Sequence, residues 1–270
     1  MGTSRVVVCL DGSIPSVAAL RWAAGEARRL RVGLLVANFA GRTRFAFSRG
    51  TGDDSFSVDD LTTCDLVEGV PTEMTTIAGR AAPRLLEVSS DAEMLVIAGS
   101  GGALADYVSR RIAVRAGIPV VVVRGQSLCG RRPIAVGVTD RSADHVLGTA
   151  FSAAADRGCG LLAARAYISA IPFRSSVADG EEADTSETEA EERARLSRVL
   201  APWQERYPGV PVELELAHTS AAAALVAASH RAQLVVVGRH GRSMLAAGLS
   251  GSPVAQLLRR AACPVFLARQ

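Results

Sequence analysis

The sequence predicts an α/β protein made of two tandem doubly wound parallel sheets of five strands each. Two observations carry that expectation. Short apolar runs rich in β-branched residues alternate with helix-length stretches, and the whole order occurs twice along the chain. The 270 residues are ample for two domains of ordinary size. Hydrophobic residues make up 49% and charged residues 21%, enough to fill a core and still solvate a surface.

The first half opens on RVVVCLDGS, Arg5 to Ser13, a strand running into an Asp-Gly-Ser turn. An amphipathic helical stretch follows to Leu30, then a second strand, VGLLVANF. Residues 41–66 should hold a second helix, but they are rich in Gly, Ser and Asp and weakly periodic, so mostly loop is expected there. AEMLVIAG (Ala92 to Gly99) and IPVVVVR (Ile118 to Arg124) supply the later strands. GQSLCGRR reads as a linker, which sets a first domain at 1–125, a linker at 126–132 and a second domain at 133–270.

The second half repeats the order: PIAVGVTDRS (Pro133 to Ser142), an Ala-rich helix to Arg157, GLLAARAY, AQLVVVG (Ala232 to Gly238) and CPVFLAR (Cys263 to Arg269). None of these runs alternates in polarity, which suits strands buried on both faces with right-handed crossovers between them. The acidic stretch from Glu181 to Glu192 reads as the solvated start of a helix ending near Tyr207-Pro208, its charge suited to the N-terminal dipole.

Composition excludes several functions. The net charge of +3 and 4% aromatics offer no basic stripe with interleaved rings, so no nucleic-acid partner is expected. Every basic residue is Arg, which rules out a Walker-A lysine and Schiff-base chemistry. No apolar run approaches the ~18 residues that span a membrane, and Val6 to Leu10 is too short for a signal-peptide core. No membrane partner is expected, and the cytoplasm is the expected compartment. Cys9, Cys64, Cys129, Cys159 and Cys263 lack ligand spacing, and they read as unpaired thiols, with Cys9 and Cys263 as core filling. No metal site is expected from the protein's own side chains.

The chemistry sits in GRHGRSMLAAGLSGSP. Gly238 ends a buried strand, Gly241 follows after two residues, and Gly251-Ser252 after nine more. In open α/β sheets ligands bind beyond the carboxyl ends of the strands at the switch point. Closely spaced glycines let the backbone wrap an anion with its N–H groups inward. Ser252 is a good N-cap and Pro253 a favoured first helical residue, so a helix N-terminus would face the phosphates. Glycines also end strands simply to turn, and His240 reads as loop rather than as a catalytic base. His145, His218 and His230 have no catalytic or metal spacing.

This G-x2-G-x9-G-S element, together with the doubled strand–Asp opening, resembles the nucleotide-binding branch of the universal stress protein family, and the resemblance covers nearly the whole chain. It implies two adenine nucleotide α-hydrolase-like domains paired through their last strands as a pseudo-dimer. It further implies that Asp140 holds adenine or ribose, Val138 and Thr139 flank the base, and Ala166 contacts it. Val237, Gly238, Arg239, His240, Gly241, Gly251 and Ser252 would line the site and surround the phosphates of ATP or another adenine nucleotide, carried with Mg²⁺. Two positions depart from the pattern. Arg141 stands where the family has Gly, and Pro253 removes an N–H whose charge-assisted bond is worth about 1.5–3 kcal/mol.

The first half keeps Asp11-Gly12-Ser13, Gly99 and Gly102, but Asp106-Tyr107 falls where Gly-Ser should be. A carboxylate 4 Å from a phosphate costs about 4 kcal/mol at an effective dielectric of 20, so no triphosphate site is expected there. Asp11 reads as a turn residue and helix cap. The expected function is that of an adenine-nucleotide-binding regulatory module in stress response with little or no hydrolysis. A non-nucleotide interaction scaffold and a slow ATPase or nucleotidyl-transfer enzyme are the alternatives. Intrachain pairing is expected, and a homodimer is compatible with it.

Overall fold

An apolar run with no alternation has to bury both of its faces, and each such run here becomes a strand of one central sheet. The computed structural model describes residues 4–11, 13–39, 44–46, 55–57, 66–78, 81–99, 112, 115–124, 132–139, 144–167, 181–238 and 252–269. The first half supplies β1 (Arg5–Leu10), β2 (Gly33–Phe39), β3 (Arg44–Ala46), β4 (Ser55–Ser57), β5 (Thr72–Ile77), β6 (Met94–Ala98) and β7 (Val120–Val123). The second supplies β8 (Ile134–Gly137), β9 (Leu161–Ala166), β10 (Val212–Ala217), β11 (Leu234–Gly238) and β12 (Val265–Ala268).

All but β3 and β4 join in a single sheet of order β10-β9-β8-β11-β12-β7-β6-β1-β2-β5. Neighbours run parallel within each half. In the middle, β12 and β7 run antiparallel, with Val265 opposite Val122 and Leu267 opposite Val120. The two five-stranded sheets expected from the sequence are therefore fused edge to edge, through the last strand of each half. Within residues 41–66, β3 and β4 pair as a short antiparallel ladder, Phe45 opposite Phe56. The linker residues 126–131 lie outside the described residues.

Among the described residues, six helices cover the faces: α1 (Ile14–Leu30), α2 (Ala81–Val88), α3 (Asp144–Asp156), α4 (Glu181–Arg206), α5 (Ala221–Arg231) and α6 (Pro253–Arg260). Helices α1, α3 and α4 bury their apolar residues with Val8, Val36, Val136 and Val236 on one face. Helices α2, α5 and α6 pack with Val7, Leu95, Val235 and Leu267 on the other. Each cluster draws side chains from both halves, so the seam between them is core.

Local chemistry explains the ends of these elements. The N-cap of α1 is Ser13, which makes no side-chain cap bond, and Pro15 lies in the first turn. Asp11 is not the cap expected of it; its Oδ1 accepts from the Ser13 amide at 3.0 Å and so closes the turn before the helix. The acidic stretch does start a helix, α4, which ends at Arg206. There Trp203 and Tyr207 stack on the buried Phe151 with ring centroids 6.1 and 5.7 Å away. Burial holds the thiols of Cys9 and Cys263 in the neutral form: the Cys9 pKa rises through desolvation and then the Asp11 charge, and that of Cys263 is pushed up to about 12 by desolvation.

The seam also carries charge. Glu26 of α1 is 7% exposed and accepts from Arg157 Nη2, just past α3, at 2.7 Å. Arg29 binds Glu26 as well and reaches Asp156 at 2.8 Å. Burial lowers the pKa of Arg157, and the Glu26 carboxylate opposes that shift. The four side chains lock the first helix of one half onto the end of the first helix of the other. Removing one member of a buried pair strands its partners without compensation. Glu26→Ala is therefore expected to lower unfolding stability by about 3–5 kcal/mol in a urea titration. A loss below about 1 kcal/mol would mean the cluster behaves like an ordinary surface pair.

Candidate functional site

In each half the strand order reverses beside the first strand, and the crevice at that point lies off the carboxyl ends of the strands. In the second half this crevice is a cavity of about 240 Å³. Gly137, Val138 and Thr139 form one wall, Ala164 and Ala166 the floor, Val237 and Gly238 the next wall, with α5 and the start of α6 closing the side. The pocket exists because its walls are small. Gly137 is needed for close approach: a Cβ there would lie 3.0 Å from a methyl of Leu225 on α5. Ala221 and Ala224 keep the α5 side equally bare.

The first half carries larger residue types at three of the corresponding positions. Val6 pairs with Met94 as Ile134 pairs with Leu234, and Cys9 pairs with Ala37 as Gly137 pairs with Ala164. Cys9 thus stands for Gly137, Phe39 for Ala166, and, counting back equally from β6 and β11, Arg84 for Ala224. Ala98 stands for Gly238, and the glycine one step past the end of β6 meets a side chain rather than a cavity. A Cβ on Gly99 would collide with the Arg124 side chain at 2.3 Å. Arg124 lies across Gly99 and donates Nη1 to the Leu258 carbonyl near the end of α6, a bond between halves.

At the mouth of the second-half pocket, Ser252 is the N-cap of α6, and it is 3% exposed. Its Oγ accepts from the Ala255 amide at 3.1 Å, and its carbonyl accepts from Gln256. Pro253 has no N–H to offer, so Val254 carries the remaining amide of the first turn at the pocket wall. The helix therefore presents a positive dipole end and a sparse set of donors.

Of the site residues expected from the sequence, the structure gathers Val138, Thr139, Ala166, Val237, Gly238 and Ser252 around this one cavity. Asp140, Arg141, Arg239, His240, Gly241 and Gly251 lie outside the described residues, as do Gly102, Asp106 and Tyr107 of the first half. Sequence reasoning missed Gly137, Ala164, Ala221, Ala224, Leu225 and Val254. For Gly137 and Ala224 a signal existed, since the first half carries Cys9 and Arg84 at those positions. Among the described residues, no three His, Cys, Asp or Glu side chains are grouped to hold a metal, and no helix is long and apolar enough to cross a membrane.

Comparison with known proteins agrees with the duplicated architecture. A sequence model of the Universal stress protein family matches residues 2–124 and again 130–269. A universal stress protein of Mycobacterium bovis is 32% identical over 293 residues, spanning 98% of this chain and 97% of its own. Another, from Mycobacterium tuberculosis, is 30% identical over 292 residues, with 98% and 96% covered. The crystal structure of a universal stress protein from Archaeoglobus fulgidus superposes with a TM-score of 0.69 at 16% identity, over 98% of this chain and 96% of that one, a likeness of fold. Two matched spans, relatives aligned end to end and the same paired architecture lead to one conclusion: the chain belongs to the universal stress protein family and carries the family's domain twice in tandem.

Proposed function

We propose that the second half binds an adenine nucleotide, ATP in the first instance, and that the protein acts as a nucleotide-responsive regulatory module in the cytoplasm. The observation that carries this reading is the small-walled cavity at the switch point, with the N-terminus of α6 at its mouth. At about 240 Å³ it falls below the ~300–1,000 Å³ of pockets that enclose a whole ligand. It suits a single ring system held between Val138, Ala166 and Val237. The ribose and phosphates would then extend past Ser252 and the start of α6.

The described lining offers only two polar side chains, Thr139 and Ser252, and no carboxylate. Mg²⁺ would accordingly enter as a partner of the phosphates, supplying charge neutralisation. An interaction scaffold is the second reading, favoured by the donor that Pro253 removes from the first turn of α6.

Thermal unfolding with and without Mg-ATP tests the reading directly. A ligand at a hundred times its Kd stabilises by about 2.7 kcal/mol, a rise in Tm of roughly 5–10 °C for a chain of this size. Asp140→Ala and Gly241→Val should lose that rise, and equal midpoints for the native protein with and without nucleotide would favour the scaffold. Ala166→Phe, which restores the first half's residue to the pocket floor, is expected to abolish the nucleotide response. Its own Tm without ligand should stay within a few degrees of the native value. Ser252→Ala, by contrast, should cost about 1 kcal/mol of stability with no ligand present, through loss of the cap.

A further inference from the structure

A hollow among the described residues of the first half lies at the opposite end of its strands from the switch point. It encloses about 870 Å³ between the amino ends of β1, β2 and β5 and the carboxyl end of α1. Among the described residues its charged lining side chains are Arg5, Arg28, Arg31 and Glu73, three positive and one negative, a net +2. Arg28 donates to the carbonyls of Glu68 and Leu66 at 2.8 and 2.9 Å, which hold it in place, and no carboxylate among the described residues pairs with it. Arg5 reaches Glu73 only at 3.8 Å, and the Glu73 side chain is 75% exposed.

Arg31 is the telling residue. It adopts φ 57° and ψ 42°, the left-handed conformation in which a Cβ crowds the following carbonyl. The duplicated half provides the control. After α3 the chain makes the same turn with Gly158 at φ 58°. The backbone bonds correspond: Val32 N to Ala27 O and Cys159 N to Ala154 O, both 3.0 Å. The turn accepts a glycine without penalty in one half and carries a strained arginine in the other. Ala155 stands in the second half where Arg28 stands in the first, and the corresponding hollow encloses only about 310 Å³, with a single arginine, Arg206, and Tyr207 in its wall. One backbone cradle thus occurs twice, and this pair of guanidinium groups occurs once.

We propose that this basal cavity of the first half is a binding site for a small multivalent oxyanion, a phosphate ester or a polycarboxylate, with Arg31 and Arg28 as its ligating side chains. Guanidinium groups pair with such anions in bidentate geometry, and the volume falls within the range of pockets that enclose a whole small molecule. The site is separate from the nucleotide pocket and does not depend on it.

The test titrates pyrophosphate, and in a parallel arm citrate, into the ¹⁵N-labelled full chain, following the amides of Val32, Gly33 and Thr72. Saturable shifts at these amides are expected with at least one of the two anions, and the responding arm identifies phosphate or carboxylate chemistry. Arg31→Gly should weaken that binding roughly tenfold or more, the loss of one charge-assisted contact, while its Tm stays level or rises because glycine suits the turn. Arg31→Lys should retain part of the affinity. Unchanged affinity in Arg31→Gly, no shift at these amides up to millimolar anion, or a lowered Tm for Arg31→Gly would each overturn the proposal, the last by assigning Arg31 to the fold.

Discussion

The antiparallel pairing of β7 with β12 is the constraint on which the rest of the molecule depends. Val120 to Val123 and Val265 to Ala268 are buried along their whole length, with no polar face to leave in water. Either strand alone would be an open, apolar sheet edge, the kind that templates aggregation. Each half therefore completes the other, and the helices above the seam inherit a fixed relationship. Glu26 can be buried among arginines only because that relationship is rigid enough to keep every charge paired.

Duplication under such a constraint frees one copy to change. The strand registers of the two halves superimpose residue for residue, yet Gly137 and Ala166 face a cavity where Cys9 and Phe39 occupy the same steps of the ladder. The substitutions keep the sheet and alter only what the carboxyl ends can accommodate. Ala98 stands where Gly238 stands, and Arg124 lies across Gly99, one step further on, on its way to α6.

The fold was legible in the sequence because its signals are local and repeated. Flat β-branched runs mark central strands, the doubled order marks two units, and Pro-led runs mark the last strand of each. The N-terminus of α6 was equally legible, since Ser252-Pro253 is a cap and first turn written side by side. The walls of the pocket were harder to see. Gly137 and Ala224 matter through their distance from Leu225 and from the ligand space, and nothing in their own neighbourhood announces it. Asp11 was half legible: its bond to the Ser13 amide is the turn closure expected of it, while the cap position falls to Ser13, and the two roles share a residue type. Arg31 drew no attention because the sequence does not reveal backbone sign; only the comparison with Gly158 exposes the strain.

The sense of the central pairing has a geometric consequence. Because the two halves run head to tail across β7 and β12, the amino ends of β1, β2 and β5 share one rim of the sheet with the carboxyl ends of β8, β9 and β11. The basal and switch-point hollows thus open along the same rim, six strands apart, or about 30 Å at the usual ~4.8 Å spacing. That separation is several Debye lengths at physiological ionic strength, each about 8 Å. Charge gathered at one hollow is screened out before it reaches the other, so any communication between them has to travel mechanically, through the ladder itself.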